Sequence, residues 1–237
     1  MEKIIARGGS KDLEGKIMAT LFYEPSTRTR FSFEVAMQRL GGRVVSNADM
    51  MTTSSFTKME TLEDTGKVIS QMVDVIVMRH PQPGSVARLA SKSDVPVINA
   101  GDGPAEHPTQ ALLDLYTIWK KFEKIDGLKI GLLGDLKNSR VQHSQVWLLK
   151  NFKVRFVLSS PKGLEMPKEI LKEMKEKGLE YEVVSTLDEL IEVADVISVS
   201  RIQKERFSSE KEYKKYAGLF VLDARGMKNA RGNAIVI

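Results

Sequence analysis

From residue 16 to the end of the chain, short apolar runs alternate with helix-patterned segments, and this rhythm constrains the fold more than any other feature. The order is KIMATLF, then a helix after STRTR; VDVIVMR, then VARLASK; VPVINA, then TQALLDLYTIWKKF. KIGLLGD with VQHSQVWLLKN follows, then KVRFVLSS with PKEILKEMKEKG, LEYEVV with LDELIEVA, DVISVS with SSEKEYKKYA, and finally FVLDA. Strands that are apolar on both faces and separated by amphipathic helices predict parallel sheets covered by helices. The break near residues 120–127, where WKKFEK gives way to IDGLK, predicts two α/β domains, 1–122 and 123–237, each a mainly parallel β-sheet flanked by helices.

A chain of 237 residues with 42% hydrophobic and 28% charged residues has the balance of a soluble globular protein. No apolar run approaches the roughly 18 residues that a membrane span needs, and the first residues carry no export signal, so the cytoplasm is the default expectation. With no cysteine and only three histidines, neither thiolate chemistry nor a metal centre is expected, and no cofactor motif is present. The net charge of +5 comes from basic residues interleaved with acids. That pattern favours small anionic substrates over nucleic acid.

In open parallel sheets ligands gather at the carboxyl ends of strands, so the loops after strands are where chemistry is sought. The first such loop reads EPSTRTR, with three hydroxyls and two arginines between Ser26 and Arg30. A helix opens there, with Phe33, Ala36, Met37 and Leu40 at the spacing of one apolar face and Gly41 and Gly42 as its stop. Ser26 alone reads as an N-cap. The first turn of a helix also offers unpaired N–H groups and a positive dipole end, and Arg28, with Arg30 as a second contributor, adds fork-shaped charge suited to phosphate oxygens. Basic residues oppose the dipole there, so an anion is expected to compensate them, with Glu24 supplying part of that role. Neither a P-loop nor a dinucleotide fingerprint occurs, which points to a different phosphate compound.

STRTRFSFE, MRHPQ, AGDG..HPTQALLDL, GDLK..R..HS and SRIQKER, in that order, resemble the aspartate carbamoyltransferase family over nearly the whole chain. The resemblance implies transfer of a carbamoyl group from carbamoyl phosphate to L-aspartate, in pyrimidine biosynthesis, without metal or cofactor. It implies a carbamoyl phosphate site at Ser26, Thr27, Arg28, Thr29, Arg79, His107 and Gln110, with Thr29, Arg79 and His107 facing the reacting carbonyl. It also implies aspartate binding by Arg140, Arg201 and Gln203, and a homotrimer in which Ser54 and Lys58 reach a neighbouring subunit's site. A separate regulatory chain is a further possible partner. His80 and His143 are expected to be structural, and residues 47–64 are expected to form a long polar loop before a helix.

Two departures from the family pattern shape the expectations. Family members carry a further helix ahead of KIMATLF, and a His-Pro-Leu-Pro segment and helix after a strand such as NAIVI, so the resemblance implies a shortened form. For that form the alternative reading is a scaffold that binds ligand or assembles with little or no turnover. The other departure is Asn138-Ser139, where the aspartate branch more often has Tyr-Gly, and the placement of Arg140 depends on how serine fits there. Transfer to ornithine and nucleic-acid binding are the remaining rivals.

Overall fold

The computed structural model describes residues 2–202, 204 and 207–237, and contacts divide the chain into two compact units, Met1–His107 and Pro108–Ile237. The first contains α1 (Glu2–Ala6), β1 (Ile17–Phe22), α2 (Thr27–Arg39), β2 (Arg43–Asn47), α3 (Met50–Thr53), α4 (Leu62–Ser70), β3 (Val75–His80), α5 (Ser85–Ala90) and β4 (Val97–Asp102). Its four strands are parallel in the order β2-β1-β3-β4. The central strands β1 and β3 are buried along almost their whole length, which is why they read as unbroken apolar runs. Met18, Phe22, Met37, Val77 and Ala100 fill one side of this sheet, and Ala19, Leu21, Ile76, Met78 and Leu89 the other.

The second unit contains α6 (Pro108–Phe122), β5 (Lys129–Gly134), α7 (Arg140–Leu149), β6 (Arg155–Ser159), α8 (Lys168–Glu176), β7 (Glu180–Val183), α9 (Leu187–Val193), β8 (Val196–Ser200), α10 (Glu210–Lys214) and β9 (Ile235–Val236). Its parallel strands run β7-β6-β5-β8-β9. Helix α6 groups here because Ile118, with Leu115 and Phe122 beside it, joins the core made by Leu132, Val146, Leu149 and Phe156. Both sheets are therefore α/β and parallel, as the alternation of segments predicts. Among the described residues no helix is long and apolar enough to cross a membrane.

Several local expectations are corrected. FVLDA is not a strand, since Gly218 and Phe220 both take left-handed backbone (φ 83° and 54°) and turn the chain. Ala36 is exposed, and the inner face of α2 is Phe33 with Met37 instead. SSEKEYKKYA shortens to the five residues of α10, capped by the Ser209 hydroxyl on the Glu212 N–H. The polar stretch after Asn47 is not a plain loop. It holds α3, capped by Asp49 on the Thr52 N–H, and a 3-10 turn at Ser55–Lys58. RVVSN forms β2, an edge strand with Arg43, Val45 and Ser46 exposed, which hid it among polar residues.

In each sheet the chain builds outward in one direction and then returns to the other side. This leaves a switch point between β1 and β3 in the first sheet, and between β5 and β8 in the second. At the second, Gly134 (φ 101°) sits opposite Ser200, and an added Cβ would lie 2.1 Å from the Ser200 carbonyl oxygen. Gly134→Ala is expected to lower unfolding free energy by more than about 2 kcal/mol, combining left-handed strain with a backbone overlap. Denaturant unfolding with an unchanged midpoint would show that the strands separate there at little cost.

Candidate active site

The first switch point gathers the predicted anion site within the first unit except for Gln110, which lies on α6 in the second unit. Residues 26–29 follow β1, Arg79 ends β3 beside Phe22 in register, and His107 closes the loop that leaves β4. Three adjacent strands thus deliver their following loops to one edge of the sheet. The loop after β4 is tied back by Gly103 N–H to the His80 carbonyl (2.8 Å) and Asp102 N–H to the Glu106 carbonyl (2.9 Å). Gly103 (φ 55°) permits this, because a Cβ would stand 2.7 Å from the Pro81 carbonyl oxygen.

Helix α2 starts without spending its cap on itself. Ser26 is the N-cap, yet its hydroxyl donates to Thr29 Oγ1 (2.8 Å) and makes no bond to a backbone N–H. The first helical bond runs from Arg30 N–H to the Ser26 carbonyl (3.1 Å), so the N–H groups of Thr27, Arg28 and Thr29 precede the helical ladder. The Thr29 hydroxyl, accepting from Ser26, keeps its own proton for an acceptor outside the turn and is polarised toward giving it. Arg28 is exposed and makes no ion pair among the described residues. Arg30 differs, being 3.7 Å from the Glu34 carboxylate and lying over the Phe31 ring. Glu34 is itself held by the hydroxyls of Thr20 and Ser46. The structure therefore separates the two arginines into one available and one structural.

Arg79 is buried, 8% exposed, with its Nε 3.3 Å from Glu24 Oε2 but not aligned for a hydrogen bond. Glu24 is thus engaged with Arg79. His107, also 8% exposed, is enclosed at the end of its loop. Two neighbours stay neutral. Burial pushes the Tyr23 phenol up to about 12, with Glu60 adding to the effect and the Thr65 hydroxyl opposing it. His80 packs on Tyr23 with ring centroids 4.8 Å apart and accepts the Gln82 N–H at Nδ1 (3.0 Å), a structural role as expected.

In the second unit, Arg140 opens α7 after β5 and Arg201 follows β8, so the two flank that sheet's switch point. Gln203 lies outside the described residues. Ser139 has φ −83°, a conformation that does not call for glycine, and Asn138 is clamped by the fully buried Asp135 through its backbone N–H (3.0 Å) and side-chain amide. His143 bonds the Leu136 carbonyl (2.8 Å) and steadies the same loop. Asp135 went unremarked in the sequence, although a carboxylate three residues before an asparagine after a strand is a turn signal. Asp114 was missed too. It is buried on α6, accepts from Gln110 and Gln145, and is signalled by standing among Ala111 and Ile118 on the apolar face. Ser54 and Lys58 belong to the helical turns after β2, with Lys58 exposed.

The family model for the aspartate/ornithine carbamoyltransferase carbamoyl-P binding domain matches residues 1–120, and that for the Asp/Orn binding domain matches 126–237. The chain belongs to the aspartate/ornithine carbamoyltransferase family. The aspartate carbamoyltransferase catalytic subunit of Thermococcus onnurineus is 48% identical over 230 residues, 97% of this chain and 74% of that one. The subunit from Methanocaldococcus jannaschii is 53% identical over 212 residues, 89% and 69% of the two chains. A solved catalytic subunit of M. jannaschii aspartate transcarbamoylase superposes with TM-score 0.86 at 46% identity, covering 100% of this chain and 76% of that one. Aspartate transcarbamoylase from Trypanosoma cruzi, in complex with carbamoyl phosphate and aspartate, gives 0.90 at 39% identity over 99% and 76%.

In this carbamoyltransferase chain, burial holds the His80 imidazole below its ordinary value, against the opposing pull of the Asp102 carboxylate. A depressed histidine makes the folded state bind fewer protons than the unfolded one. Its contribution is present above the unfolded value of about 6.5 and is lost as pH falls toward the folded value. Unfolding free energy is expected to decline as pH drops below about 6.5, and less so in His80→Gln. Equal slopes in both proteins would remove His80 as the cause.

Proposed function

We propose that this chain transfers the carbamoyl group of carbamoyl phosphate to the amine of L-aspartate, giving N-carbamoyl-L-aspartate and phosphate in pyrimidine biosynthesis. The observation that carries the reading is the opening turn of α2, where backbone N–H groups precede the ladder and Arg28 has no ion pair among the described residues. The names of the relatives and the ligands in the T. cruzi structure support it. The domain division proposed is 1–122 for carbamoyl phosphate and 123–237 for aspartate, a division supported by the spans of the two family models.

Ser26, Thr27, Arg28 and Thr29 hold the phosphate through backbone N–H groups, hydroxyls and a guanidinium fork. Thr29, Arg79 and His107 donate to the carbonyl oxygen, which gains charge as the amine attacks. A preorganised donor at such an oxygen contributes about 3 to 4 kcal/mol to the rate. Gln110 takes the carbamoyl amine on its amide oxygen. Arg140, Arg201 and Gln203 bind the two aspartate carboxylates. The neutral amine forms the new C–N bond, the bond from carbon to the phosphate oxygen breaks, and the proton lost by the amine passes to the departing phosphate. Holding both reactants in line supplies much of the acceleration, and no protein nucleophile takes part.

The same proposal includes a cytoplasmic homotrimer in which Ser54 and Lys58 act in a neighbouring subunit's site. The exposure of Lys58 supports its availability. The catalytic-subunit naming of the archaeal relatives supports a separate regulatory chain as a further partner.

An acceptor panel tests the reaction. L-aspartate is expected to give carbamoylated product and L-ornithine none, and preference for ornithine would remove the roles of Arg201 and Gln203. Carbamoyl phosphate binding without product from either acceptor would favour the non-turnover scaffold. Arg28→Ala is expected to weaken carbamoyl phosphate binding by about 1.5 to 3 kcal/mol, the range of a charged hydrogen bond. Unchanged affinity by calorimetry would refute the phosphate assignment.

A further inference from the structure

The second unit holds a buried carboxylate that the reaction described above does not use. Asp114, 7% exposed on α6, receives the Gln110 amide on one oxygen (Nε2 to Oδ1, 2.9 Å) and the Gln145 amide from α7 on the other (Nε2 to Oδ2, 2.7 Å). An ionised carboxylate only accepts hydrogen bonds, so each amide must meet it with its NH2 end. Gln145 shows how strictly this is imposed. Its Oε1 is buried and lacks a hydrogen-bond partner, and the turned amide would leave its NH2 in that place while facing oxygen to oxygen across Asp114.

Gln110 is bound by the same rule with a different outcome. Its NH2 is committed to Asp114, one helical turn along α6, which leaves its Oε1 as the acceptor end of the amide. We propose that Asp114 is a positioning residue for carbamoyl transfer: it fixes the orientation of the Gln110 amide so that oxygen, never NH2, meets the carbamoyl NH2 of the substrate. This rests on the reading of Gln110 given above. Without the carboxylate, the Gln110 amide turns freely, and the turned form sets donor against donor at the substrate. Burial raises the Asp114 carboxyl above its ordinary value, and the two amide donors oppose that shift.

A purely structural clamp between α6 and α7 predicts something else, a loss of stability without ligand discrimination. Calorimetry on the full chain with two ligands separates the cases, because carbamoyl phosphate carries the NH2 group and inorganic phosphate does not. Asp114→Asn keeps the shape but places a donor where only acceptors stood. It is expected to weaken carbamoyl phosphate binding about tenfold, leave inorganic phosphate affinity unchanged, and add nothing to the effect of Gln110→Ala in the double variant. Asp114→Glu, which remains acceptor-only, is expected to retain more of the discrimination than Asp114→Asn. Should Asp114→Asn not fold, Asp114→Ser is read in the same way.

Equal losses for both ligands, or additive losses in the double variant, overturn the positioning role and leave a structural clamp. Wild-type discrimination in Gln110→Ala overturns the assignment of Gln110 itself, and the inference with it.

Discussion

Everything at the first switch point depends on donors at the amino end of α2 being left over after the helix has formed. An N-cap serine ordinarily satisfies one of those groups and contributes about 1 kcal/mol to stability in doing so. Here the Ser26 hydroxyl goes to Thr29 instead. The helix forgoes a local stabilisation, and the amino end keeps both its N–H groups and a polarised hydroxyl. Arg28 adds positive charge at the positive end of a dipole, which is unfavourable in an empty protein and favourable once an anion arrives. The unfavourable term is removed by the same event that constitutes binding.

Burial then decides which neighbouring groups carry charge. Arg79 is enclosed with Glu24 nearby, so its guanidinium is compensated but not locked by an aligned hydrogen bond. Tyr23 and His80, stacked against each other, are both pushed toward neutrality by the same burial. Charge at this edge then rests chiefly on the Arg28 and Arg79 guanidiniums, the Glu24 carboxylate and the helix end. In a partly desolvated setting each is worth more than in water. A second anionic group, such as a tyrosinate, would oppose an anion at the end of α2, and a protonated His80 would destabilise the sheet.

How much of this was legible in the sequence depended on whether a residue's signal was periodic or relational. Buried central strands such as β1, β3, β5 and β8 announce themselves by composition, and the loops after them were found because parallel sheets direct ligands there. The edge strand β2 is largely exposed and looked polar, and FVLDA looked like a strand because nothing local revealed the left-handed turn at Phe220. The availability of Arg28 and the engagement of Arg30 with Glu34 could not be told apart from spacing, since both arginines stand in the same turn. Asp114 and Asp135 were missed for a related reason. Each matters through a partner several residues away or on another helix, and a single chain of letters does not show which pairs meet.

The loop before Arg140 shows why a family pattern can be met by different chemistry. A glycine ahead of the arginine is useful where backbone must enter the left-handed region, but Ser139 sits at φ −83° and needs no such freedom. What the loop requires is a fixed turn, and Asn138 supplies it by giving backbone and side-chain donors to Asp135 at the end of β5. Because Asp135 is fully buried and Gly134 just before it is pressed against the Ser200 carbonyl, the turn is anchored to the junction of β5 and β8. The arginine is placed by the switch point itself. Replacing a flexible residue by a clamped one lowers the conformational entropy the loop loses on folding, and on the proposed aspartate-binding role of Arg140 it leaves less to order when the substrate arrives.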